Sequence, residues 1–137
     1  MPHDPVLVRT TREWILRAAD DLKLAEAHGT TEPAFIRDAL FHCQQATEKA
    51  LKAFLAWHDK PFRKTHDLRQ LSDVCIQIDR LLAPLLDRTE LISDYAWKFR
   101  YPGAPCEPSA EEVSEALQLA REIVEAIRSR LPAEVRQ

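Results

Sequence analysis

Two short runs hold the side chains best suited to chemistry. The first is "KPFRKTHDLR", residues 60–69. It sets Lys60, Arg63, Lys64 and Arg69 against Asp67 alone, with His66 among them. Cations gathered without matching acids make a local anion site, and phosphate is an anion they fit. The plainer reading is a solvated basic corner. The second run is "WKFRYPG", residues 97–103, where aromatic and basic side chains interleave ahead of a proline-rich stretch. Arg100 has the planar fork that grips a phosphate with two hydrogen bonds, and Tyr101 can stack or donate. In the competing reading Trp97 and Phe99 pack inside while Arg100 pairs with an acid such as Glu107. Both readings stay open at this level.

A third feature is the polar side of "FHCQQATEKALKAF", residues 41–54. At about 100° per residue, Phe41, Gln45, Glu48 and Lys52 fall together, away from the apolar stripe. Glu48 stands four residues before Lys52, a favourable helical pair. These residues either solubilise a long helix or, because Phe41 and Leu55 add apolar surface there, contact a second subunit.

Other chemistries are not signalled. No glutamate is followed at i+3 by histidine, and His-Glu-x-x-His is absent, so the usual bundle and protease metal patterns fail. The histidines and the three cysteines, Cys43, Cys75 and Cys106, do not cluster in sequence. The expectation is no metal and no cofactor. With two glycines in the chain, glycine-rich phosphate loops are not available either. A net charge of −3 confines any nucleic-acid contact to a local patch. The unpaired cysteine count, the lack of a long apolar run and the start "MPHDPVLVRTTREW" lead to the expectation of a cytoplasmic protein without a membrane span.

The elements that must position these residues read as helices almost throughout. The first is expected from about Thr10 to His28, with Trp14, Ala18, Leu22 and Ala25 inward. The second is expected from about Pro33 to His58, on the order of 35–40 Å long. Its stripe is Ile36, Leu40, Cys43, Thr47, Ala50, Leu51 and Phe54. Asp67 is placed to cap a third helix with Leu68, Leu71, Cys75 and Ile78 inward. A fourth starts near Pro84 and carries Leu85, Ile92, Tyr95 and Phe99. Prolines 102, 105 and 108 make 101–108 a loop. Ser109 and Glu112 then form a capping box for a fifth helix with Val113, Ala116, Ala120, Ile123, Ile127 and Leu131 inward. The expected fold is all-α, an up-and-down bundle of four main helices plus a shorter fifth, in a single domain over residues 1–137.

Four landmarks in order, Trp14 with "AADDLKLA", "FHCQQATEKALKAFL", "THDL" at 65–68 and "RYPG" at 100–103, resemble the HEPN family, and the small stand-alone prokaryotic members in particular. The resemblance implies a helical bundle, a homodimer and a nucleotide- or RNA-associated role. It also implies a small nucleotidyltransferase as partner in a toxin–antitoxin-like pair. Many family members are metal-independent endoribonucleases that use an arginine and, four to six residues on, a histidine. Arg100 sits where that arginine is expected, but no histidine follows His66. Arg37 and His42 enclose four residues, yet they lie mid-helix about 140° apart, and the match reads as coincidence. The family motif therefore reads as lost.

Three functional readings follow. One is a binding module that uses Lys60, Arg63, Lys64, His66 and Arg100, with Tyr101 (Tyr95 next) as the residue a partner would adenylylate. Another is a ribonuclease with Arg100 as clamp and His66 or Tyr101 as proton carrier. The third is a structural interaction module. Phe41, Gln45, Glu48 and Lys52 are the expected dimer contact.

Overall fold

The computed structural model describes residues 3–28, 33–62, 64–65, 67–98 and 108–136. Of residues 28, 33, 34 and 95–98 it describes the backbone alone. Among the described residues every regular element is helical: α1 (Pro5–His28), α2 (Pro33–Trp57), α3 (Leu68–Ile78), α4 (Ala83–Leu86), α5 (Thr89–Lys98), α6 (Ala110–Arg128) and α7 (Ala133–Arg136). The protein is an all-α bundle.

α1 begins earlier than Thr10. The Asp4 carboxylate accepts from the Val6 amide at 2.9 Å, and Pro5 takes the first helical position, where a missing N–H costs nothing. α2 ends in a Schellman turn. Lys60 N–H donates to Leu55 O at 2.9 Å and Asp59 N–H to Ala56 O at 3.1 Å, with Asp59 left-handed at φ 54°. Asp67 caps α3 as expected, accepting from the Arg69 amide. Ser109 and Glu112 close the capping box of α6 in both directions.

The fourth helix differs from expectation. It is interrupted at Asp87 and Arg88, which separate α4 from α5, and a 3₁₀ turn (Arg80–Leu82) precedes α4. Thr89 explains the restart, since its hydroxyl donates to Leu86 O at 2.8 Å across the break. Phe99 lies outside the described residues, as do residues 101–107 of the expected 101–108 loop.

α2 is the shaft of the bundle, packed by α1, α6, α3 and α5. Ala39, Ala46, Ala50 and Ala53 share one side of α2 and are buried in the same core as Ala18 and Ala25 of α1, the helix that packs most heavily on α2. Leu40, Leu51, Phe54 and Leu55 fill the other sides with Leu68, Leu71, Ile92, Leu119, Ile123 and Ile127. The α1 stripe is shifted from the expected one. Thr11, Ile15, Ala18, Asp21 and Ala25 are buried, whereas Trp14 and Leu22 are partly so. The chain ends are tied together, because His3 pairs with Glu134 at 2.8 Å and the Arg12 guanidinium donates to Glu134 O. No described helix is long and apolar enough to cross a membrane.

Candidate functional site

The Schellman turn aims the chain after α2 back across the bundle. It brings Phe62 against Trp14 of α1, ring centroids 6.0 Å apart and nearly perpendicular. The Lys52 ammonium lies beside both rings, 5.5 Å from that of Trp14 and 5.7 Å from that of Phe62. Its hydrogen bond runs to Glu48 Oε2 at 3.2 Å. Aromatic faces and one carboxylate thus replace most of the water around this cation.

That arrangement overturns the placement of Glu48 and Lys52 on an outward face. Residue exposures are 3% and 7%, and Leu55 is fully buried too. The helical wheel assigns one inner face, but α2 is enclosed on several sides along its C-terminal half. Of the four expected contact residues, Phe41 is exposed and Gln45 partly so. Gln45 donates to the neighbouring Gln44 at 2.9 Å, and Gln44 reaches Glu48 at 3.4 Å.

Lys60 and Lys64 are both exposed, on either side of Phe62. Arg69 is less available than its sequence setting implies, for it pairs with Asp73 at 3.5 Å and with Glu90 at 3.2 Å. The basic stretch is therefore partly answered by acids from α3 and α5. Arg63, His66, Arg100 and Tyr101 lie outside the described residues, and of Tyr95 only the backbone is described.

A second polar cluster had no counterpart in the sequence reading. Asp21, 6% exposed, sits on the α1–α2 seam. Its two oxygens lie 2.9 Å from His42 Nδ1 and 2.5 Å from Lys49 Nζ. The sequence did hold a signal. Asp21 stands three residues after Ala18 and four before Ala25, an acid on the buried face of its own helix.

At the far end, Asp79 accepts from Arg130 at 2.6 Å and from the Leu81 amide at 3.0 Å. The Arg130 hydrogen bond, then the amide, hold its carboxyl below the usual range. His58, its ring tilted against that of Phe54 with centroids 4.5 Å apart, is lowered by desolvation, which Asp79 opposes. Cys43 and Cys75 are buried free thiols, each pushed up to about 12 by burial. Among the described residues no three His, Cys, Asp or Glu side chains gather as a metal-binding group. A shallow depression of about 430 Å³ on α6 is lined by Gln118, Arg121, Glu122, Glu125, Ala126 and Ser129; it includes none of the sequence candidates.

A family model described as the HEPN domain matches residues 11–130. The chain belongs to the HEPN family. This is a family of nucleotide- and RNA-associated modules, and the match runs from Thr11 on the first helix to Arg130 just beyond α6, so both polar clusters lie inside the HEPN domain. No curated protein and no solved structure matches the chain significantly.

Proposed function

We propose that residues 1–137 act as one HEPN module that binds a nucleotide or RNA through Lys60, Arg63, Lys64, His66 and Arg100. In this reading it works as a cytoplasmic homodimer beside a small nucleotidyltransferase in a toxin–antitoxin-like pair, its family arginine–histidine motif lost. The observation that carries the reading is local. Lys60 and Lys64 are exposed at the rim of the Trp14–Phe62 pair in a chain that belongs to a nucleotide-associated family. Phosphate-seeking cations beside aromatic surface are the two components single-stranded nucleic acid needs. Phe41 and Gln45 supply the reachable part of the dimer contact. Two buried thiols without a disulfide accord with a reducing compartment.

The test is a salt titration of binding to a single-stranded oligoribonucleotide. Affinity should fall steeply with salt, and the Lys60→Ala/Lys64→Ala variant should lose about 0.7 of logarithmic slope per lysine removed. Binding that ignores salt, or an unchanged slope in the variant, leaves the module a purely structural one. Incubation with the cognate nucleotidyltransferase and ATP should add an adenylyl mass at Tyr101, and an unmodified Tyr101 would remove the modification step. Light scattering should report a dimer that Phe41→Glu dissociates.

A further inference from the structure

Trp14 and Phe62 are a half-buried aromatic pair flanked by exposed lysines. Trp14 belongs to α1, Phe62 follows the turn after α2, and the rings meet edge to face at 6.0 Å. Water reaches part of each residue. A contact that only fastened this stretch to α1 would need no cation at its side. Yet the Lys52 ammonium stands 5.5 and 5.7 Å from the two ring centres. The lysine is 7% exposed, and Glu48 Oε2 anchors it at 3.2 Å. An ammonium drawn out of water attracts aromatic rings more strongly than one in solvent. It holds both rings in place before any ligand arrives and draws their π electrons toward itself. A platform fixed in advance gives up little freedom on binding. The part of each ring that water reaches is left electron-poor, which suits stacking against an electron-rich purine.

The flanking charges narrow the kind of flat molecule that fits. Lys60 and Lys64 stand two residues to either side of Phe62, and both are exposed. Unlike Arg69, neither carries an ion pair among the described residues. Four residues apart, their Cα atoms are separated by at most about 14 Å. Their long side chains can narrow that span to the two phosphates that border one nucleotide. An apolar peptide would leave both cations unanswered, whereas a base carried between phosphates answers rings and cations together.

We propose that Trp14 and Phe62 form a stacking subsite for one purine base of single-stranded RNA, with Lys60 and Lys64 on the adjoining phosphates and Lys52 holding the rings. The inference rests on the nucleotide- or RNA-binding reading above and adds to it the residues that meet a base.

The experiment uses the full chain and three single-stranded probes of equal length: an oligoadenylate, an oligouridylate and an abasic ribose–phosphate oligomer. Equal phosphate numbers make the electrostatic part of binding common to all three. Oligoadenylate should bind most tightly and the abasic oligomer least, with about tenfold or more between them. Trp14→Leu should erase most of that gap and leave the salt slope unchanged, because the slope counts phosphates. Trp14→Phe, which keeps a ring, should preserve much of the gap. Lys60→Ala/Lys64→Ala should do the reverse, lowering the slope and keeping the order of the probes. Circular dichroism confirms that each variant is folded, and Phe62→Leu replaces Trp14→Leu if that variant is not. The comparison of probes on the unaltered chain needs no variant. Equal affinity of that chain for oligoadenylate and the abasic oligomer, or a gap that survives Trp14→Leu, overturns this inference alone. Oligouridylate bound as tightly as oligoadenylate overturns the purine preference. Binding to none of the three probes overturns the underlying reading with it.

Discussion

The Lys60 amide donates to the Leu55 carbonyl at 2.9 Å, across a turn whose middle residue, Asp59, has a φ of 54°. With the Asp59–Ala56 bond it sets where the chain goes after α2, and therefore where Phe62 and the lysines on either side of it stand. A residue with a Cβ in the left-handed region is strained, and glycine is not. Asp59→Gly should raise stability by roughly 0.5–1 kcal/mol. Asp59→Val, with a branched Cβ at the same φ, should lower it. Urea midpoints of the two variants check the prediction, and equal midpoints would refute it.

The Glu48–Lys52 pair should behave as a buried one. Lys52→Met leaves the carboxylate without its ammonium and should cost about 3 kcal/mol or more. Glu48→Gln combined with Lys52→Met removes both charges and should recover most of that loss. A double-mutant cycle in urea measures the coupling, and additive losses would mean that the pair acts as two independent surface charges.

Asp79 sets part of the acid limit. Its carboxyl is held low in the folded chain by Arg130 first and the Leu81 amide second. The stability it supplies is complete above the unfolded carboxylate value of about 4 and is lost as pH falls through the lowered folded value. Asp79→Asn should flatten the stability–pH curve in that acid range and leave its neutral shape alone. The same variant removes an influence that raises His58, so the His58 titration, followed by NMR, should move further down.

Cys43 and Cys75, each at about 12, should resist a thiol reagent at neutral pH, because the thiolate is the reactive form. Residue-resolved mass spectrometry should find label on both only under unfolding conditions. Rapid labelling of either in the native chain would contradict the packing around α2.

What the sequence disclosed followed from one-sided periodicity. The α3 and α6 stripes, the Asp67 cap and the Ser109–Glu112 box were all legible, because each depends on residues a turn apart. The α4–α5 break was not, since Asp87, Arg88 and Thr89 carry no proline or glycine and the interruption depends on a hydroxyl reaching back to Leu86. The burial of Glu48 and Lys52 was misread for a different reason. A wheel cannot count how many neighbours a helix has, and polar residues on a central helix look like surface until those neighbours are placed. Asp21 was passed over on the same logic. Within the basic stretch Lys60 and Lys64 are exposed, whereas Arg69 is answered by Glu90 from a separate helix, which spacing along the chain does not reveal.

The packing of α1 on α2 also constrains how the molecule can move. Ala18 and Ala25 on α1 and Ala46, Ala50 and Ala53 on α2 are all buried, and the Asp21 contacts to His42 and Lys49 tie the same two helices. Sliding α1 along α2 would have to break those two contacts, so the helices are expected to move as a pair. A second protein grasping either helix would reorient the Asp21 cluster and the Lys60 rim together, as the two ends of one lever.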